Sequence, residues 1–279
     1  MTEVDIERLR GWIGREEARE DLLTEDLARK YHATFDMPGD PPRLGEVAPR
    51  MIHFCLAQPA VPTSALGPDG HPRRGGFLPP VELPRRMWAG GRLTFSGDLR
   101  VGDRIRRRSR IADVVWKQGR TGPLCFVAVE HWISVDEHIK VAEVQDIVYR
   151  GLDGARGAAP PAAEAGDQRR AVEGSPPLLF RYSALTFNGH RIHWDRRYVT
   201  EVEGYPGLIV HGPLQAAWLF NYAAELEGAP PSRFAFRGLS PLFDDDAIFL
   251  NAEVDGEGLK LWTARQGGPV AMSAEASWS

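Results

Sequence analysis

The sequence predicts an α+β protein made of two helix-wrapped antiparallel sheets in one chain. Three observations carry this. Helical patterns precede a run of four strand-like segments in the first half, and the same order recurs in the second. Turn signals separate the strand-like segments, as short antiparallel connections require. An Ala-, Gly- and Pro-rich stretch without aromatics, GLDGARGAAPPAAEAGDQRRAVEGSPPL at 151–178, lies between the halves. It reads as a linker, giving an expected first unit at 1–150 and a second at 179–279.

In the first half, 16–30 carries Leu22, Leu23 and Leu27 among charges, a helical pattern. Residues 44–56 are more apolar and predict a buried helix. A loop dense in Pro, Gly and Arg follows, about 59–84. Strand-like runs come next at 87–95, 104–117, 124–134 and 139–149. Within the third, Cys125, Val127 and Val129 alternate with Phe126, Ala128 and Glu130, the period-two signature of a strand with a buried face. The second half opens on a polar segment, 181–198. A helix starts near Pro213, since proline suits an early helical position, and runs to about Glu227. Strand-like runs follow at 233–239, 247–254, 259–265 and 270–277. The turns at 255–258 and 266–269 hold the glycines that tight hairpins need. No residue-level repeat links the halves, so duplication rests on element order alone. An apolar helix wrapped by a curled antiparallel sheet is a standard way for such elements to bury their faces.

The chain has 279 residues, 43% hydrophobic and 26% charged, which suits a globular core and excludes wholesale disorder. The longest apolar runs fall short of the ~18 residues of a transmembrane helix. The first residues are too charged for a secretory signal. A net charge of −4 offers no overall footprint for nucleic acid. Cys55 and Cys125 make no metal or redox spacing and read as buried thiols of a reducing cytoplasm.

Chemistry concentrates in one place. The stretch Asn188-Gly189-His190-Arg191-Ile192-His193-Trp194-Asp195 holds two His, one Asn, one Asp and one Arg. An apolar run then leads to His211-Gly212-Pro213 at a helix start. A helix N-terminus presents free N–H groups and the positive end of its dipole. With Gly212 allowing close approach, it suits an oxyanion on a thioester carbonyl. A histidine on the facing segment suits activation of water and delivery of a proton.

These motifs resemble the MaoC-type hydratase/dehydratase family of hot-dog folds, in which Asp-x-Asn-Pro-x-His-x-Asp precedes an apolar strand and a His-Gly helix start. The closer resemblance is to a subgroup with a degenerate first hot dog. It includes mesaconyl-C4-CoA and itaconyl-CoA hydratases and mitochondrial-type hydroxyacyl-thioester dehydratases. Its signatures here are Arg85-Arg86-Met87-Trp88-Ala89-Gly90-Gly91, Gln145-Asp146-Ile147-Val148-Tyr149-Arg150 and, most specific, Phe187 through Asp195. The resemblance implies a double hot dog with the catalytic motif in the second half.

It also implies a hydro-lyase acting across an α,β-unsaturated thioester; no metal is expected, since the His cluster lacks a carboxylate or Cys partner set. Coenzyme A or phosphopantetheine belongs to the substrate, and no separate cofactor is expected. One departure matters: the family's catalytic Asp position holds Asn188, which cannot act as a general base but can hold water. His193 is the favoured acid/base with Asn188 as water holder, while His190 or Asp195 could take the vacant role. His211 and Gly212 are the expected oxyanion donors. A dicarboxylyl thioester needs a cation for its free carboxylate. Arg85, Arg86, Arg181 and Arg191 are candidates, with Tyr205 beside them and Arg73 and Arg74 in the long loop. The run Arg104, Arg106, Arg107, Arg108 and Arg110 reads as a solvated strand face or a phosphate contact. An acyl carrier protein in place of coenzyme A, and a homodimer, stay open as partners. So do a fatty-acid-type dehydratase, a thioesterase and a non-catalytic thioester binder.

Overall fold

The computed structural model describes residues 5–119, 122–151 and 160–278. The first half contributes α1 (Ile6–Arg10), β1 (Glu16–Leu22), α2 (Glu25–Thr34), β2 (Arg85–Phe95), β3 (Arg104–Gly119), β4 (Gly122–Val135) and β5 (His138–Arg150). The second contributes β6 (Gln168–Val172), α3 (Pro176–Leu185), α4 (Arg196–Glu201), α5 (Gly212–Glu227), β7 (Arg233–Gly238), β8 (Ile248–Asp255), β9 (Gly258–Arg265) and β10 (Val270–Ser277). The strands form one antiparallel sheet in the order β1-β3-β4-β5-β2-β7-β10-β9-β8-β6. From edge to centre the halves read β1-β3-β4-β5-β2 and β6-β8-β9-β10-β7, the same order strand for strand. Duplicated element order is thus duplicated topology. The halves join where β2 pairs with β7, Gly90 opposite Arg237 through Thr94 opposite Arg233. The junction is tight: a Cβ on Gly90 would lie 2.5 Å from the Phe236 carbonyl oxygen.

α5 is apolar around most of its circumference, which marks a buried helix. Leu214, Ala216, Ala217, Leu219, Phe220, Tyr222 and Ala223 are all buried in the main core. Each large side chain so buried is worth about 1.5–3 kcal/mol. Pro213 sits in the helix's first turn, and Gly228 ends it in the left-handed conformation.

Three expectations need correction. Residues 16–22 form a strand paired with the arginine-rich β3: Glu16 lies opposite Arg110 and Glu20 opposite Arg106, while Arg19 meets Arg107. Opposite charges across a ladder stabilise pairing, and helix α2 begins only after the Thr24 cap. Arg106 and Arg110 of the arginine run are thus faced by glutamates. Residues 44–56 do not make a long helix: Gly45 adopts a positive φ, Pro49 is extended, and only Arg50–Cys55 forms a short 3-10 turn. The stretch 151–178 is not all linker, since β6 pairs with β8 and α3 starts at Pro176. The polar segment 181–198 is mostly helical, in α3, a 3-10 turn at Arg191–His193, and α4.

The missing first-half helix leaves part of the β2–β5 face open to a cleft of about 1570 Å³, lined there by Trp88, Gln145 and Ile147. Beneath the first-half sheet lies a buried polar cluster. His53, His131 and Glu143 are buried; Ser109 Oγ lies 2.7 Å from His131 Nδ1, and Gln145 Nε2 donates to Glu143 Oε1 at 2.9 Å. No helix among the described residues is long and apolar enough to cross a membrane.

Candidate active site

The cleft runs between the halves and is lined by Asn188, His190, His193, Tyr205, Gly212 and the tip of the long loop. α3 delivers the motif. It ends in a Schellman arrangement: Asn188 N–H donates to Ser183 O at 2.8 Å and Phe187 N–H to Ala184 O at 3.3 Å. Phe187 takes the left-handed position, φ 49°, where glycine is usual. Asn188 Oδ1 then accepts the His190 N–H at 3.0 Å. That bond fixes the amide orientation and leaves Nδ2 as a donor toward the cleft.

His193 ends the 3-10 turn. Its Nδ1 lies 2.8 Å from the Ile209 carbonyl oxygen, so Nδ1 carries the proton and Nε2 is left as the acceptor. Burial, with His71 nearby, lowers this imidazole to about 4, and it is neutral at neutral pH. His211 stacks on it with ring centroids 3.6 Å apart and is itself held by Ser183 Oγ, 2.8 Å from Nε2. The His211 ring is fully buried and orients His193, leaving only its backbone at the helix start. Gly212 follows as the first residue of α5, so its N–H has no partner within the helix. A Cβ there would meet nothing closer than 3.9 Å, so the packing does not demand a glycine.

The arginines sort by their partners. Arg85 donates to the carboxylate and the carbonyl of Glu203, at 3.2 and 2.7 Å, and lies over the Tyr205 ring. Arg191 grips Asp195 and donates to Pro68 O. Arg74 is spent on the carbonyls of Val81, Leu83 and Pro84. Arg73 donates to Leu66 O. Arg181 is exposed on α3 and does not line the cleft, a correction to the expected set that follows from its outward helical position. Arg86 lines the cleft, half-buried, with no ion pair among the described residues. Its charge is close enough to depress both His71 and His190.

Asp195 caps α4 by accepting the Tyr198 N–H at 3.0 Å and is paired with Arg191; it is structural.

A family model described as hydroxyacyl-thioester dehydratase type 2 matches residues 51–244. The chain belongs to this family. It is 43% identical over 267 residues to the mesaconyl-C(4)-CoA hydratase of Chloroflexus aurantiacus, covering 94% of this chain and 95% of the relative. A 94-residue stretch is 43% identical to the mitochondrial hydroxyacyl-thioester dehydratase type 2 of Schizosaccharomyces pombe, covering 33% of this chain and 30% of the relative. Among solved structures, a MaoC-like dehydratase from Phytophthora capsici superposes with a TM-score of 0.71 at 13% identity, over 99% of this chain and 98% of that one. A Mycobacterium tuberculosis protein described as a double hotdog fold gives 0.56 at 15% identity, over 95% of each. These last two share the fold. As a member of the hydroxyacyl-thioester dehydratase type 2 family, the protein is a hydro-lyase of the MaoC type.

Sequence reasoning missed His71, which lines this hydro-lyase's cleft, and Asp69, which holds the His71 ring from behind. Asp69 and His71 sit at the tip of a small hairpin within the long loop, closed by the bridge of Leu66 with Pro72. Arg191 N–H donates to Asp69 O at 2.9 Å, tying the tip to the segment 188–195. Gly70 makes this possible. Its φ is +86°, and a Cβ would lie 2.0 Å from the Gly189 carbonyl oxygen. Gly70→Ala is expected to cost about 1–3 kcal/mol by chemical denaturation, since both backbone and contact are incompatible with a side chain. A denaturation midpoint equal to that of the parent would refute this. The only hint in the sequence is a polar Asp-Gly-His step inside a Pro- and Gly-rich loop.

Asp69, His71 and His190 place three potential ligand atoms within 4.8 Å of one another. Both Asp69 oxygens already accept from His71, Oδ2 from the ring Nδ1 and Oδ1 from the backbone N–H, each at 3.1 Å. A cation would have to compete with those bonds.

Proposed function

We propose that the protein adds water across the double bond of a short branched dicarboxylyl-CoA, with mesaconyl-C4-CoA as the favoured substrate and itaconyl-CoA as the alternative. Arg86 carries this reading. It is a cleft-lining cation with no ion pair among the described residues, close enough to His71 and His190 to lower both. In a mesaconyl-C4 thioester the free carboxylate hangs on the carbon that receives water, so a cation is needed at the reacting end. The end-to-end similarity to a mesaconyl-C(4)-CoA hydratase supports the same substrate class. Two free, buried cysteines support a reducing, cytoplasmic setting.

The geometry of the site supports these steps. Asn188 Nδ2 and His193 Nε2 hold the attacking water. His193 takes its proton as the oxygen bonds to the β carbon. The electron pair of the double bond moves toward the thioester carbonyl, and the Gly212 N–H holds the resulting enolate oxygen. One such donor is worth about 10²–10³ in rate. A proton then reaches the α carbon. The pantetheine arm leaves by the wide mouth, past the exposed Phe180, Phe187 and Trp194.

The test is Arg86→Gln. On a dicarboxylyl-CoA, kcat/KM is expected to fall about 10²-fold, the roughly 3 kcal/mol of a desolvated carboxylate–guanidinium contact. On crotonyl-CoA, which has no second carboxylate, it is expected to stay within a few-fold. Equal loss on both substrates would remove Arg86 as the carboxylate reader.

A further inference from the structure

The carboxylate lacking at position 188 has a counterpart in space. We infer that His71, backed by Asp69, is the second acid–base group of this site, supplied by the first half across the cleft. The inference rests on the hydration reading above.

Four observations point to it. Asp69 accepts from His71 Nδ1–H and from the His71 backbone N–H, so the ring's Nδ1 carries a proton and Nε2 is its acceptor. Burial opposes ionisation of Asp69, yet its bonds to His71 outweigh this and hold the carboxyl down at about 2. The dyad is aimed by construction: the hairpin tip is fixed on Gly189 and Arg191 through a contact that only glycine at position 70 permits. Finally, the rings form a row. His71 lies 4.0 Å from His190 and His190 lies 5.4 Å from His193, centroid to centroid. Asp69 stands at one end and the water-activating His193 at the other. Neither ring nitrogen of His190 is hydrogen-bonded among the described residues, to His71 and His193 included, so transfer along the row uses a bridging water or a small closing of the rings.

The proton balance closes. At rest the three rings are neutral and Asp69 is anionic. His193 Nε2 takes a proton from water as the C–O bond forms and the π pair becomes an enolate. The charge passes along His190 to His71, where the imidazolium lies beside the Asp69 carboxylate, which favours it, and near the Arg86 charge, which opposes it. His71 Nε2–H gives the proton to the α carbon, the enolate collapses to the thioester, and all three rings are neutral again. No other reactant is consumed. His71 is the catalytic residue; Asp69 acts through it as a positioning residue.

Exchange of the α-hydrogen separates this from a single-base scheme. The hydrated product is incubated in D₂O with the parent protein, His71→Asn, Asp69→Asn and His193→Asn, and α-deuterium is followed by mass and NMR. His71→Asn is expected to lose exchange and to lower kcat about 10²–10³-fold, within the range of general acid–base catalysis, with KM little changed. His193→Asn is expected to keep exchange while losing net dehydration. Asp69→Asn is expected to lower kcat about tenfold or more and to shift the acid limb of the kcat–pH profile. Exchange that survives in His71→Asn, or fails in both histidine variants, overturns the inference. The set is run on whichever thioester the parent hydrates. Failure of the dicarboxylyl preference therefore shows in the parent alone, whereas failure of the dyad shows only in the variants.

Discussion

His193→Ala is expected to lower kcat by about 10³–10⁴-fold with the fold intact. The ring's Nδ1–H is committed to the Ile209 carbonyl and its other face is covered by His211. Nε2 is thereby the acceptor aimed at the cleft, and no other neutral base among the described residues shares both that tautomeric constraint and that position. Removing a positioned general base costs about 10²–10⁴-fold. The upper part of the range is expected because burial keeps His193 unprotonated across the neutral range. His193→Gln retains a similar bulk and separates packing from proton transfer. Near-parent kcat in either variant would assign the water-activating role elsewhere.

Acidification is expected to unfold the protein above the ordinary carboxylate range. His53, His131, His190, His193 and His211 are buried, and burial is the largest cause that lowers each of them. Neutral in the fold, each binds a proton near pH 6.5 when unfolded. As pH falls through 6.5 the unfolded chain takes up more protons, so stability falls. Glu143 opposes this. Burial raises its carboxyl to about 7, so between about pH 7 and 4.5 the fold holds a proton that the unfolded chain does not. Five histidine protons less that one leave four, a slope of ~5 kcal/mol per pH unit near pH 5. Against a total stability of ~5–15 kcal/mol, the fold is lost within roughly one to three units below pH 6.5. Urea midpoints at pH 7, 6 and 5 check this; a midpoint that does not move by pH 5 contradicts it.

The strands of the second half and the start of α5 were legible because period-two burial, hairpin glycines and an early proline are local signals. Residues 16–22 were not. Of the seven, only Ala18 and Leu22 are uncharged, and what makes them a strand is the pairing with β3. Residues 44–56 were misleading for another reason: apolar content without an uninterrupted backbone run does not make a helix, and Gly45 and Pro49 interrupt it. The clustering of Asn188, His190, His193 and Gly212 was readable from one motif and one helix start. Which arginine is left without an ion pair among the described residues was not, because Glu203 and Asp195 claim Arg85 and Arg191 only in the folded chain. Asp69 and His71 lie more than a hundred residues from the motif they join. Their approach depends on a backbone contact between Gly70 and Gly189 that no local pattern records.

The most direct measurement is water addition by the purified protein to mesaconyl-C4-CoA, itaconyl-CoA and crotonyl-CoA side by side, followed by mass. A kcat/KM at least about 10²-fold higher for a dicarboxylyl-CoA than for crotonyl-CoA is the result expected from a cation at the reacting end of the cleft. Preference for crotonyl-CoA, or no water addition to any of the three, would contradict the account.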